Sequence, residues 1–138
     1  MQDPADNPSR SSGSPVPRPL YGPERNVLLA ILDQGPFDER DVLVAQVAGA
    51  QVVGHCACGC ATVDLMVDHG LQRASGAPRL VPYEATVLGD AGEAMGGVLV
   101  FVADGYLSSL EVYAYGDEPI ELMPDLSQLR FHAGGTTG

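Results

Sequence analysis

The spacing of apolar positions divides the chain into a helical first part and a strand-rich second part. The first part contains Gly22-Pro23 and Gly35-Pro36, which are typical signals for the start and the end of a helix. Between them, apolar residues recur at the three-to-four-residue interval of one helix face: Val27, Leu28, Ile31 and Leu32. We therefore predict a first helix between these two signals.

A second, shorter helix is predicted to follow and to end near Ala48-Gly49. Asp38 is its predicted N-cap, and Asp41 lies in the first turn, where a carboxylate favours the positive end of the helix dipole. Its predicted buried face consists of Val42, Leu43 and Val47. Because only a short turn joins the two helices, we expect an antiparallel helical hairpin whose apolar faces need a sheet to cover them.

After residue 49 the pattern changes to the two-residue period of β-strands. Strands are predicted over residues 51–56, 62–68, 83–89, 98–103 and 107–115. Asp104-Gly105 is a strong two-residue turn signal, so the last two strands are predicted to form a hairpin.

Two of these strands alternate clearly enough to assign their faces. In residues 62–68, the inward residues are Val63, Leu65 and Val67, and the outward residues are Asp64 and Asp68. In residues 107–115, the inward residues are Leu110, Val112 and Ala114, and the outward residues are Glu111, Tyr113 and Tyr115. One face of the predicted sheet is therefore apolar, and the other carries acids and tyrosines.

Together these elements predict a single α+β domain over residues 20–130. Its N-terminal helical hairpin packs on one face of a mainly antiparallel sheet of four or five strands. Residues 1–19 are rich in proline and serine, so we predict a disordered leader there. A short helical turn is expected near residues 127–129, and residues 131–138 are predicted to be a flexible tail.

The charge of the chain narrows the choice of partners. It has 18 acidic residues against 7 basic ones, a formal net charge of −11, and every basic residue is an arginine. The negative electrostatic field of such a chain disfavours nucleic acid and anionic membranes as partners, and a basic protein or a cationic ligand suits it better. The alternative is that the acidic residues serve only to keep a small protein in solution. Because the sequence contains neither a transmembrane-length apolar run nor a secretory signal, we expect a cytoplasmic protein. The oligomeric state is left open.

The chemically distinctive stretch is the cysteine segment: Cys56, Cys58 and Cys60 stand at alternate positions, and His55 precedes them. Histidine and cysteine are preferred ligands of zinc. In an extended strand, however, alternate Cα atoms lie about 6.6–6.8 Å apart, which is too far for three thiolates to share one ion. A metal site would need the chain to fold back at Gly59.

Three interpretations of these cysteines remain open. The favoured one is that reduced thiols pack as small apolar side chains along a strand near a glycine bulge. The alternatives are a zinc or other soft-metal site and a reactive thiol. In a metal site, His55, His69 or His132 is a candidate for the fourth ligand.

No catalytic constellation accompanies the cysteines, so the sequence indicates no catalytic residue and favours a non-enzymatic protein. The acids Asp64, Asp68, Glu84 and Glu111 are more simply solvated residues of the outer sheet face than a catalytic pair. The favoured function is therefore a binding module of the inhibitor or immunity type. Its predicted interface for a basic partner comprises Glu111, Tyr113, Tyr115, Asp64 and Asp68. A metal- or thiol-dependent protein that uses the cysteine segment is the alternative.

Two stretches also carry a resemblance: residues 56–65, which begin Cys-Ala-Cys-Gly-Cys, and residues 104–119, which contain Leu-Glu-Val-Tyr. Over about residues 22–130 the chain resembles a group of small bacterial proteins with a Cys-x-Cys-Gly-Cys segment and a late Leu-Glu-Val-Tyr strand. We associate no activity with that group. The resemblance therefore implies a shared fold and no catalytic residue.

Overall fold

The computed structural model describes residues 15–134 and has an α+β fold, in which one seven-stranded antiparallel sheet is combined with two short helices. The elements in chain order are β1 (Arg18–Pro19), α1 (Gly22–Leu32), α2 (Arg40–Gln46), β2 (Ala50–His55), β3 (Val63–Val67), β4 (Tyr83–Leu88), β5 (Ala94–Ala103), β6 (Tyr106–Ala114) and β7 (Leu129–Ala133). The strand order across the sheet is β1-β2-β3-β6-β5-β4-β7. Of the helices in the described range, none is long and apolar enough to cross a membrane.

The apolar stripe of α1 was predicted correctly. Its residues Val27, Leu28, Ile31 and Leu32 are completely buried, and the helix ends before Gly35-Pro36. In α2, Leu43 is completely buried and Val42 is partly buried. Val47 is also buried, but it lies in the 3-10 turn that follows the helix. The predicted cap is wrong, because Glu39 rather than Asp38 precedes α2, with φ of 69° and no side-chain hydrogen bond. The hairpin arrangement of the two helices stays a prediction.

The hairpin at Asp104-Gly105 is confirmed, because β5 and β6 are neighbouring antiparallel strands and Ala103 and Tyr106, on either side of the turn, are paired. Both turn residues have positive φ, 52° for Asp104 and 82° for Gly105, as this kind of two-residue turn requires. The inward residues of β5 and β6 join the helices in one core cluster: Val98, Val100, Leu110 and Val112. Leu99, Glu111 and Tyr113 alternate with them and therefore lie on the opposite face, which we call the outer face.

The sheet is larger than the predicted four or five strands because both of its edges carry strands that the pattern did not reveal. At one edge β1 pairs with β2, within a stretch that the sequence analysis assigns to the leader. Residues 1–14 of that predicted leader lie outside the described residues. At the other edge β7 pairs with β4 from Leu129 to Ala133, where a flexible tail was predicted from residue 131.

A buried ion pair holds the β1 edge. Arg18 is 8% exposed and Glu24 is completely buried. The two guanidinium nitrogens Nη1 and Nη2 of Arg18 each donate to one carboxylate oxygen of Glu24, at 2.9 Å. The backbone N–H of Tyr21 donates to the same carboxylate at 2.8 Å, and the Arg18 guanidinium lies 3.7 Å from the centre of the Tyr21 ring. These contacts fix the start of the described chain to the first turn of α1.

The β7 edge is introduced by a 3-10 turn, Leu126–Gln128, close to the predicted helical turn. Asp125 caps it, since its Oδ2 accepts from the hydroxyl of Ser127 at 2.6 Å and from the Ser127 N–H at 3.2 Å. These two bonds lower the pKa of the Asp125 carboxyl. The cap directs the chain into β7, where Leu129 pairs with Val87.

A buried glutamine connects α2 to the β5–β6 hairpin. Gln46 is completely buried, and its side-chain amide nitrogen donates to the carbonyls of Gln72 at 3.0 Å and Gly105 at 2.8 Å. Its side-chain oxygen accepts from the N–H of Leu107 at 3.0 Å. One side chain therefore satisfies three backbone groups where a helix, a loop and a strand meet.

Candidate functional site

The three cysteines lie in the cysteine turn, residues 56–62, which joins β2 to β3. β2 ends at His55 and β3 begins at Val63, so the predicted extension of the strand through Cys56 is wrong. The N–H of Gly59 donates to the carbonyl of Cys56 at 3.2 Å, and Gly59 has φ of 91°. Glycine takes this left-handed conformation at little cost. The chain therefore folds back at the residue where a metal site would need it to.

This turn brings the three sulfur atoms together. The Sγ atoms of Cys56, Cys58 and Cys60 all lie within 4.8 Å of one another, and those of Cys56 and Cys58 are 2.7 Å apart. Thiolates bound to one zinc ion at about 2.3 Å lie within about 4 Å of one another, so side-chain rotations alone can bring these sulfurs to the spacing that one ion requires. Backbone N–H groups point at two of the sulfurs, from Cys58 to Cys56 Sγ at 3.4 Å and from Cys60 to Cys58 Sγ at 3.3 Å.

The site opens from the protein interior to solvent. Cys60 is buried, Cys56 is half-buried and Cys58 is exposed, and all three are free thiols. An ion can therefore approach from the Cys58 side, while Cys60 is held in the packed interior.

The second half of the turn is attached to rigid neighbours. The hydroxyl of Thr62 donates to the carbonyl of Val112 at 3.1 Å and accepts from the Val112 N–H at 2.8 Å. This side chain replaces a backbone rung between the turn and β6. The N–H of Ala61, which is completely buried, donates to the carbonyl of Ile120 at 2.8 Å. Cys60 is thus positioned by both β6 and the segment that follows it.

Thr62→Val should lower the free energy of unfolding by about 1–3 kcal/mol, because it leaves the N–H and the C=O of Val112 without their partner. Thr62→Ser retains the hydroxyl and is the matched control, from which we expect a loss of about 1 kcal/mol or less. Urea denaturation of the two variants measures the difference. Equal losses would show that the hydroxyl bonds contribute nothing.

The histidines proposed as a fourth ligand are not part of this sulfur group. Within residues 15–134, the group of potential metal ligands that the structure brings together consists of the three cysteines alone. His55 ends β2, where it pairs with Val63. The ring of His69 stacks on that of Tyr106, with centroids 4.4 Å apart, and His132 Nε2 lies 2.8 Å from the hydroxyl of Thr86.

Four of the five residues predicted as an interface lie near one another on or beside the outer face. Glu111 and Tyr113 alternate along β6, and Asp64 of β3 pairs with Ser109 of β6. Tyr115 follows β6 and is 60% exposed, and its ring centroid lies 5.9 Å from that of Tyr113. Asp68 lies apart, beyond the end of β3.

The carboxylate of Asp68 has a local role, because it accepts a hydrogen bond from the N–H of Gly70 at 2.9 Å. Glu84, which the sequence analysis names only among the solvated acids, lies close enough to affect Tyr113. Burial raises the pKa of the Tyr113 hydroxyl above its usual value, and Tyr115 and Glu84 raise it further. The sequence predicted Glu84 on the same face as Tyr113, but its nearness to that ring could not be predicted, because it depends on how β4, β5 and β6 are aligned.

No family model, curated protein or solved structure matches this chain. The resemblance noted from the sequence therefore stays an expectation.

Proposed function

We propose that this protein binds a soft metal ion through the thiolates of Cys56, Cys58 and Cys60. The observation that carries the proposal is the convergence of three sulfur atoms, all within 4.8 Å of one another, on one five-residue segment. Thiolates select soft and borderline ions such as Cu(I) and Zn(II) over Mg²⁺ and Ca²⁺, which prefer oxygen. The function favoured from the sequence alone, a binding module at the outer face, now ranks second.

The geometry also argues against the interpretation that the sequence favoured for the cysteines themselves. Thiols that pack as small apolar side chains would lie along a strand and within the core. Here only Cys60 is buried, and Cys58 is exposed at the tip of a turn. Packing alone gives no reason for a buried, a half-buried and an exposed sulfur to converge, whereas a shared ion does.

The number of donors favours an accessible ion over a closed structural zinc site. A structural zinc ion normally takes four protein ligands, and the described part of the chain offers three thiols here. Three thiolates suit an ion with a low coordination number, or leave one position for a ligand from outside the chain. The net charge of −11 favours the approach of cations in either case.

The proposal is one of binding and assigns no reaction to the site. Free thiols are maintained in a reducing compartment, so a cytoplasmic location would agree with it. Each thiol must lose its proton when it binds metal, so affinity should increase as pH rises.

Titration of the reduced protein with Cd²⁺ tests the proposal, because cadmium–thiolate bonds absorb in the ultraviolet. We expect one ion per chain and protection of all three thiols from alkylation. Cys60→Ser should weaken binding by more than the roughly 10–100-fold that loss of an outer-shell partner costs a metal site. Ala57→Ser, an exposed change within the same turn, is the matched control and should bind as the parent protein does.

Two results would contradict the proposal. One is alkylation of all three thiols at the same rate with and without excess Cd²⁺. The other is equal Cd²⁺ affinity of Cys60→Ser and Ala57→Ser, which would mean that Cys60 is not a ligand of the ion.

A further inference from the structure

The outer face of the sheet carries a second arrangement, which is independent of the cysteine turn. The helices pack on the other face, where they share the core with the inward residues of β5 and β6. On the outer face, the strand register aligns Thr86 of β4, Gly97 of β5 and Tyr113 of β6 in one row. Leu99 and Glu111 pair in the next row, and Glu84 lies two residues before Thr86 on the same side of β4.

Because Gly97 has no side chain, the Tyr113 ring can lie against it. A Cβ atom at Gly97 would overlap both the ring and the hydroxyl of Tyr113, so the ring lies across the backbone of β5 at this point. Tyr115 continues the ladder beyond β6, since its N–H donates to the carbonyl of Met95 at 2.9 Å. The two tyrosine rings are 5.9 Å apart and tilted by 53°. We call these two rings, with Glu84 and Glu111 beside them, the tyrosine platform.

The platform is accessible and lies in a negative field. Tyr115 is 60% exposed, and Tyr113 is half-buried. Three carboxylates belong to this face, those of Asp64, Glu84 and Glu111. Among the described strands, β7 contributes an arginine to this face, Arg130, which pairs with Thr86. Acids therefore outnumber cations around the two rings.

We propose that the tyrosine platform binds an arginine side chain of a basic partner protein. Aromatic faces attract cations, and a planar guanidinium can stack on a ring while it donates hydrogen bonds to a carboxylate beside that ring. The compact ammonium of lysine lacks this planar geometry, so arginine is the better fit. A second copy of this chain is disfavoured as the occupant, because each copy carries a net charge of −11.

The test uses a hexa-arginine peptide as the probe and the metal-free, reduced protein, so that its outcome does not depend on the cysteine turn. Binding is measured by fluorescence anisotropy and located by amide chemical shifts in two-dimensional NMR. We expect Tyr115→Ala and Glu111→Gln each to weaken binding at least about threefold. Tyr115→Phe retains the ring and should bind nearly as well as the parent protein.

Asp38→Asn is the matched control for charge, because it removes one exposed carboxylate from the loop between the helices. Unchanged affinity in Asp38→Asn, with shifts centred on Tyr113 and Tyr115, would support the proposal. Equal weakening by Asp38→Asn and Glu111→Gln would overturn it, since the peptide would then be responding to net charge alone. Shifts confined to other surfaces, or hexa-lysine binding as tightly as hexa-arginine, would also overturn it.

Discussion

Glu24→Ala should lower the free energy of unfolding by about 3–5 kcal/mol, because it leaves the buried Arg18 guanidinium without a counter-charge. The pair is almost completely excluded from solvent, with side-chain exposures of 8% for Arg18 and 1% for Glu24. The Glu24 carboxylate also accepts a hydrogen bond from the N–H of Tyr21, so the same substitution removes the acceptor of a backbone donor at the start of α1. Chemical denaturation followed by circular dichroism measures the loss.

The exposed ion pairs of Arg40 provide the control. Arg40 lies 3.1 Å from Asp33 and 3.1 Å from Asp41, but its side chain is 32% exposed and theirs are 79% and 90% exposed. Arg40→Ala should therefore cost about 0–1 kcal/mol. The double variant Arg18→Met with Glu24→Leu removes both charges and should recover much of the loss. If Glu24→Ala and Arg40→Ala cost the same, the buried pair does not hold the β1 edge.

Gln46→Met should cost about 2–4 kcal/mol, because it keeps the side-chain volume but removes the acceptor of the buried Leu107 N–H and the side-chain donor to the Gln72 carbonyl. The Gly105 carbonyl also loses the Gln46 amide, but it keeps the bond from the N–H of Ala74 at 2.8 Å. Urea denaturation gives the size of the loss. Hydrogen exchange should show faster opening at Leu107, where the lost acceptor was bonded.

Gln34→Met is the matched control for this substitution. The side-chain nitrogen of Gln34 makes one longer bond, 3.3 Å to the carbonyl of Glu84, and the residue is only partly buried. Its replacement should cost about 1 kcal/mol or less. A loss of that size in Gln46→Met would mean that water or a local shift satisfies the Leu107 N–H and the Gln72 carbonyl.

The elements that the sequence predicted well are those whose residues carry a strong local signal. The apolar stripe of α1 fits one helix face, the alternation in β3 and β6 fits a half-buried strand, and Asp104-Gly105 fits its turn. The edge strands lacked such a signal. β1 has only two residues, one of them proline, and it depends on a pairing with β2 more than thirty residues away. Local patterns do not contain that information.

The candidate site was half predictable. The cysteines and the possibility of a turn at Gly59 could be found in the sequence, because glycine is the residue that tolerates positive φ. The alternation of cysteines instead favoured a strand, which would have kept the sulfurs apart. Thr62 gave no sign of its role, since its bonds to Val112 span fifty residues.

On the outer face, too, features encoded within one strand could be predicted, whereas features that depend on the pairing of several strands could not. The alternation of β6 alone placed Glu111 and Tyr113 on one side, as the structure confirms. The pairing of Gly97 with Tyr113 and the nearness of Glu84 follow from the register of three strands. No single stretch of sequence encodes a register of that kind.

X-ray absorption at the zinc edge of the zinc-loaded protein tests the central claim most directly, because it counts the sulfur atoms bound to the metal. We predict three sulfurs at about 2.3 Å, with no more than one lighter donor, and loss of one sulfur in Cys58→Ser. A first shell made mainly of oxygen and nitrogen, or one that is unchanged in Cys58→Ser, would contradict the assignment of the cysteine turn as a metal site.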